Sequence, residues 1–147
     1  MLRDRDAPVT REGIIMRVYG YDHLPNGYIC DVEYASEAVY RSEVPKALRN
    51  GGRERYYKFY EDEGLKFVLS YYPQYTLYVP QLKRRVVAVN EGQVAEVRRP
   101  QQGLMVLLSK GDSMAQASLE VLEAIVASSR LKISDFGVFG SLLHGFY

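Results

Sequence analysis

The chain has very little sulfur and imidazole chemistry. Its 147 residues include one cysteine, Cys30, and two histidines, His23 and His144. A single thiol cannot form an intramolecular disulfide, and so few cysteines and histidines exclude a structural Cys/His zinc site. We therefore interpret Cys30 as a small buried strand residue of a protein in a reducing compartment. His144 is interpreted as a surface or interface histidine.

Long apolar runs are also missing. No run approaches the length that is needed to cross a bilayer. Charged residues occupy positions 3 to 6, which argues against a secretory signal. We therefore expect a cytoplasmic protein that has no membrane partner.

Neither sign of charge dominates, since 19 basic residues stand against 18 acidic ones and the net charge is +1. This balance excludes a protein that is basic over its whole surface, but it leaves open a local patch for nucleic acid. Tryptophan is absent, whereas 13 tyrosines are present. The preference for arginine over lysine and the few amide side chains are consistent with a thermophilic source.

Hydrophobic periodicity predicts an α+β fold. Alternating or β-branched runs predict strands at 13–19, 28–34, 53–60, 75–79, 85–89 and 94–98. Asn26-Gly27 predicts a hairpin turn between the first two strands, because both residues tolerate positive φ. Helical spacing predicts a helix over 65–72 that crosses the sheet, and the acidic residues 61–63 suit its start.

Pro100 marks a change of pattern. Residues 1–100 are predicted to form a mostly antiparallel sheet domain, and residues 101–147 a helical segment. Helices are predicted at 101–108 and 113–129, and Ser113 with Gln116 forms a capping box for the second. That second helix is apolar on more than one face, so we expect it to be buried.

The segment after the helices carries the strongest chemical signal. The run 136–139 is apolar and aromatic and predicts a buried strand, which leads into Gly140-Ser141 and an apolar helix start. Glycine allows a backbone to approach phosphate closely, and a serine hydroxyl with nearby N–H groups can bind phosphate oxygens. Gly140 and Ser141 are therefore the candidate nucleotide-binding residues.

Four stretches carry a family resemblance: DFGVFGSLLHG (135–145), RDRDA (3–7), VYGY (18–21) and YYKFYEDEG (56–64). Together they resemble archaeal nucleotidyltransferase-like proteins of the DNA polymerase β superfamily, over most of the chain. The resemblance implies transfer of a nucleotidyl group from a nucleoside triphosphate to a hydroxyl acceptor. It also implies that Mg²⁺ is held by paired carboxylates on the strand after the Gly-Ser turn.

This chain ends six residues after Ser141, before any such pair of carboxylates. We therefore expect an inactive N-terminal fragment, with the first strand of a nucleotidyltransferase-like unit but no Mg²⁺ bound by this chain alone. The apolar tail 136–147 is expected to pair with another copy, as a homo-oligomer, or to fold back onto the sheet domain.

Aromatic and basic residues alternate along the predicted strand at 53–60. Cations interleaved with aromatic rings can hold the phosphates and stack the bases of a single strand. The candidate nucleic-acid-binding residues are Arg53, Arg55, Tyr57 and Lys58, together with Lys83, Arg84 and Arg85. Tyrosines that cover a core and charges that face water are the alternative explanation. The alternative function is a non-catalytic module for single-stranded nucleic acid or for oligomerisation.

Overall fold

The computed structural model describes all residues, Met1–Tyr147, and divides into two compact units, Met1–Val97 and Arg98–Tyr147. The chain contains eight strands and four α-helices. The predicted α+β class with a mostly antiparallel sheet is therefore confirmed. None of the helices combines the length and the hydropathy of a membrane span.

The first unit is built on an open sheet in the order β4-β5-β3-β2-β1-β8, and a β6–β7 hairpin joins it through β3. The strands of the path are β1 (Ala7–Thr10), β2 (Ile14–Val18), β3 (Tyr28–Ser36), β4 (Leu48–Asn50), β5 (Arg55–Lys58) and β8 (Val94–Arg98). The hairpin is β6 (Thr76–Val79) and β7 (Arg84–Val89), and the helix of this unit is α1 (Glu63–Tyr71).

Strand alternation places the main core on one face of this sheet. Ile14, Met16 and Val18 of β2 point into it, and they meet Val68 of α1 in one buried cluster. Cys30 belongs to the same cluster, and burial raises the pKa of its thiol to about 12. The thiol is therefore protonated and unreactive, because the thiolate is the nucleophilic form.

A chain of aromatic rings fills the space between α1 and the sheet. Phe67 of α1 lies 5.2 Å from Phe59 and 5.2 Å from Tyr40, measured between ring centroids. On its other side Phe67 lies 5.5 Å from Tyr72, whose ring stacks on Tyr75 at 6.2 Å. Aromatic pairs at such separations stabilise the fold beyond the effect of the buried area alone. Tyrosine and phenylalanine are thus the large aromatic residues of this core.

The turn between β2 and β3 differs from the predicted type. The two strands pair antiparallel as predicted, with Val18 opposite Cys30. However, neither Asn26 nor Gly27 has a positive φ, and a narrow bridge from Leu24 to Gly27 closes the loop. The bridge encloses Pro25 and Asn26 rather than Asn26 and Gly27, and proline fixes a negative φ.

The second unit consists of α2 (Pro100–Ser109), α3 (Ser113–Ala127) and the single-turn α4 (Ser141–His144). Leu104, Leu107 and Leu122 form its core. The predicted capping box at Ser113 is wrong, because Asp112 is the N-cap and its Oδ1 accepts a hydrogen bond of 2.8 Å from the Ala115 N–H. The aspartate, one residue earlier, satisfies a different orphan N–H of the first turn.

The expectation that the helix at 113–129 is buried on more than one face is also wrong. Only Ala115 and Leu122 of α3 are buried, and Val121 is 60% exposed. On α2, Met105 is 62% exposed. Both helices are rich in apolar residues, but nothing in the second unit covers their outer faces. The homo-oligomer stays a prediction.

The predicted strand at 136–139 is wrong. The segment follows a 3-10 turn, Ile133–Asp135, and it belongs to no strand or helix. The Val138 N–H donates to the Pro100 carbonyl of α2 at 3.0 Å. A strand needs a neighbour for its ladder of N–H and C=O groups, and none of the strand pairings involves this segment. The tail instead packs within its own unit, where Phe146 is buried and Phe139 is 52% exposed.

Candidate functional site

The Gly140-Ser141 turn has a geometry that glycine makes possible. Gly140 has φ 60° and ψ −141°, a region in which a side chain would be strained. The chain turns at Gly140 and starts α4 at Ser141, which is half-buried. The Ser141 carbonyl accepts a 2.8 Å hydrogen bond from the Phe146 N–H. A glycine turn and a helix start thus follow one another as predicted, but the strand predicted ahead of them is absent.

The segment ahead of this turn passes very close to α2 at Gly137. A Cβ added to Gly137 would lie 2.5 Å from the Cβ of Pro100 and 2.7 Å from its carbonyl carbon. We expect Gly137→Ala to lower the free energy of unfolding by about 1–3 kcal/mol, because backbone atoms must move to relieve the overlap. Urea denaturation measures the change. Gly92→Ala is the control, since its Cβ would meet only Asn90 Oδ1, at 3.3 Å. Equal losses in both variants would contradict this expectation.

His144 lies at the end of α4 and is not a surface histidine. It is half-buried, and an Arg98 Nη1 lies 3.2 Å from its Nδ1. Arginine can only donate, so Nδ1 accepts and the imidazole is neutral. Burial, with a smaller effect of the Arg98 charge, lowers the pKa of His144 to about 3. His144 is therefore not a cation that could bind phosphate.

The candidate nucleic-acid residues on β5 do not share one surface. Tyr57 is paired with Ala35 on the core face of the sheet, and its ring contacts Tyr40 edge-on at 6.4 Å between centroids. Arg55 is exposed, but it pairs with Glu37 at 2.9 Å. Lys58 is paired with Tyr34 and lies on the opposite face. Tyr57 therefore lies on the face of the sheet that carries the core.

The other candidates lie at the exposed end of the first unit and in the loop before β5. Lys83 has φ 52° in the turn between β6 and β7, and Arg84 and Arg85 begin β7; all are exposed. Arg85 donates from Nε to Thr76 Oγ1 at 2.8 Å. Arg53 is exposed in the loop that precedes β5. These three consecutive residues, Lys83, Arg84 and Arg85, all lie on the β6–β7 hairpin.

The structure also assembles a polar cluster that the sequence analysis missed. On the sheet face opposite α1, Arg17 pairs with Glu33 at 3.0 Å and reaches Asp31 at 3.7 Å. Burial raises the pKa of Glu33, and the Arg17 charge partly offsets this effect. Burial, followed by the Glu33 charge, raises the pKa of Tyr34 on the same face to about 12. The pairing of β2 with β3 was the signal that could have located this cluster.

Lysine and arginine side chains surround Tyr60 beside that cluster. The ammonium nitrogens of Lys46 and Lys58 lie 5.1 and 5.4 Å from the Tyr60 ring centroid. Arg49 donates to the Lys46 carbonyl at 2.5 Å. Lys46 and Arg49 lie between the strands that were predicted at 28–34 and 53–60. Only Lys58 of this group was therefore a candidate.

Metal ligands are not gathered anywhere in the chain. No group of three or more His, Cys, Asp or Glu side chains has a geometry suited to a metal ion. Asp135, the carboxylate nearest in sequence to the Gly140 turn, accepts a 2.7 Å hydrogen bond from the Lys132 N–H. These residues do not fit the Mg²⁺ that the resemblance implies.

Comparison of the chain with models of protein families, with curated proteins and with solved structures finds no match.

Proposed function

We propose that this chain is the N-terminal part of a nucleotidyltransferase that transfers a nucleotidyl group from a nucleoside triphosphate to a hydroxyl acceptor. One observation carries the proposal: the aromatic segment 136–139 turns at Gly140, whose backbone lies in a region that favours glycine, directly before Ser141. The resemblance of 135–145 to the Gly-Ser motif of the polymerase β superfamily supports it. The acceptor is a hydroxyl of a nucleic acid, a protein or a small molecule.

In this proposal each residue of the turn has one task. Gly140 has no Cβ, and nothing lies within 4 Å of the place where a Cβ would project, so that side of the turn is open to a ligand. The Ser141 hydroxyl donates a hydrogen bond to a phosphate oxygen. Since α4 is a single turn, the proposal does not rely on a helix dipole.

The chemical step belongs to groups that this chain does not supply. The resemblance implies paired carboxylates that would hold Mg²⁺, and this ion would neutralise phosphate charge and activate the attacking hydroxyl. The residues described here would bind and orient the triphosphate. Because His144 is neutral, it contributes no positive charge to the binding of phosphate.

Labelled nucleoside triphosphates test the proposal directly. The protein expressed from the whole reading frame is incubated with Mg²⁺ and α-labelled triphosphates, and label on any acceptor is measured. We expect Ser141→Ala to lower the transfer rate by about 10- to 100-fold, since it removes one donor to the phosphates. Ser134→Ala is the matched control, because Ser134 is an exposed serine of the same unit.

A second readout concerns the 147-residue chain alone. Addition of Mg²⁺-triphosphate is expected to shift the amide resonances of Gly140 and Ser141 in wild type, and less so in Ser141→Ala. The proposal is wrong if neither protein binds any triphosphate and no label is transferred. Equal loss in Ser141→Ala and Ser134→Ala would remove Ser141 from the site.

A further inference from the structure

Three cations and one aromatic ring meet at one end of the sheet face that is turned away from α1. Tyr34 and Lys58 are register partners, and so are Tyr56 and Arg49. Because side chains alternate along a strand, Lys58, Tyr56 and Arg49 share one face. Lys46 reaches the same place through its contact with Tyr60. We call Lys46, Arg49, Lys58 and Tyr60 the basic face.

The basic face is held in place by its own hydrogen bonds. The Tyr60 hydroxyl donates to the Lys46 carbonyl at 3.2 Å, and the Tyr60 N–H donates to Glu63 Oε2 at 3.0 Å. Arg49 uses Nη1 for the carbonyls of Lys46 and Leu48. Both lysine ammonium groups lie over the Tyr60 ring. This arrangement orders flexible cations before any ligand arrives, which lowers the entropy cost of binding.

No carboxylate forms an ion pair with a cation of the basic face. Elsewhere in the unit cations are paired, as Arg55 is with Glu37 and Lys66 is with Asp62. Lys46, Arg49 and Lys58 form no ion pair. Glu33 is close enough for the Lys58 charge to lower its pKa, but burial raises that pKa and Glu33 is already paired with Arg17 at 3.0 Å. An uncompensated group of cations attracts an anion with several charges.

The same sheet face carries a second aromatic ring beside a cation. Ile15 is the register partner of Tyr34, so Arg17, two residues further along β2, shares the face with Lys58. The Arg17 guanidinium carbon lies 5.2 Å from the centroid of the Tyr19 ring, and Tyr19 is 45% exposed. An exposed ring offers a stacking surface to an unpaired base. The face therefore combines cations with aromatic rings, and both of its carboxylates, Asp31 and Glu33, are engaged by Arg17.

We propose that the basic face, together with Arg17 and Tyr19, binds a single-stranded nucleic acid. Lys46, Arg49 and Lys58 hold backbone phosphates, and a base stacks on Tyr19. This activity goes beyond nucleotidyl transfer and does not depend on it, because all of these residues belong to the first unit.

Fluorescence anisotropy of a labelled oligouridylate measures the binding at several salt concentrations. We expect the triple variant Lys46→Ala, Arg49→Ala, Lys58→Ala to bind at least about 10-fold more weakly. Its slope of log affinity against log salt should be shallower by about 2, since each phosphate contact to a single strand contributes roughly 0.7. Tyr19→Leu should weaken binding about 5-fold or more through lost stacking, with the salt slope unchanged.

A matched triple variant removes the same charge elsewhere. Arg3→Ala, Arg11→Ala, Arg41→Ala eliminates three exposed cations of the first unit and is expected to change affinity by less than about 2-fold. Circular dichroism verifies the fold of each variant, and the single variant Lys46→Ala, at an exposed position, serves as a further test if the triple variant unfolds. It should lose affinity and flatten the salt slope by about 0.7.

Four results would overturn the proposal: no binding by the wild type, equal losses in the two triple variants, tighter binding of a duplex than of the single strand, or competition by polyglutamate as strong as competition by the oligonucleotide. The last result would indicate an acidic protein partner instead.

Discussion

Acidification from pH 7 to pH 4 should remove about 3 kcal/mol from the free energy of unfolding through His144 alone. In the folded protein, burial and the Arg98 charge lower the pKa of this imidazole from 6.5 to about 3. The unfolded chain therefore takes up the proton first as the pH falls. The stabilisation is fully present above pH 6.5 and is lost progressively toward pH 3.

His144→Asn isolates this contribution, because an asparagine oxygen can accept the hydrogen bond of Arg98 without titrating. Urea denaturation of wild type and variant over a series of pH values cancels the carboxylates that both proteins share. His23→Asn is the matched control, because it removes the other histidine of the chain, which lies in the first unit. The same pH profile in wild type and His144→Asn would show that His144 is not held neutral by the fold.

Met16→Ala is expected to cost about 2–5 kcal/mol of unfolding free energy. Met16 is fully buried, with 0% exposure, at the centre of β2, where it is the register partner of Val32. Truncation removes its burial energy and leaves a cavity, because a sheet held on both sides cannot close around the gap.

Met105→Ala offers a control of the same chemistry at an exposed site. Met105 is 62% exposed on α2, so its truncation should change stability by no more than about 0.5 kcal/mol. Denaturant titrations of both variants give the comparison. A loss at Met105 as large as that at Met16 would mean that the outer face of α2 is covered in solution.

The sequence predicted those elements in which the side-chain period is visible. β2, β3, β6, β7 and β8 lie within or next to their expected ranges, and α1, α2 and α3 are each found. Alternation over several residues or a helical stripe identifies an element whatever it packs against. β1 and β4 were missed because they span four and three residues, too few for a period to show.

Neighbours in the fold, rather than residue types, determined the conformation of the segment 136–139. Its residues have strand propensity, but propensity expresses fit to a half-buried sheet and not an intrinsic backbone state. With α2 as neighbour, the Val138 N–H donates to the Pro100 carbonyl and the segment joins no sheet. His144 changed in the same way, from an expected surface residue to a neutral imidazole beside Arg98, 46 positions away.

The sequence by itself determined the α+β class, most of the strands, the helices and the Gly-Ser turn, since each depends on local spacing and on the conformational freedom of glycine. The tertiary structure alone decided which charges remain uncompensated. The pairing of β4 with β5 brings Arg49 to the face that carries Lys58, while Glu33 is neutralised by Arg17 across β2 and β3. Ion pairing depends on distances of a few ångströms between residues far apart in the chain, which only the folded sheet sets.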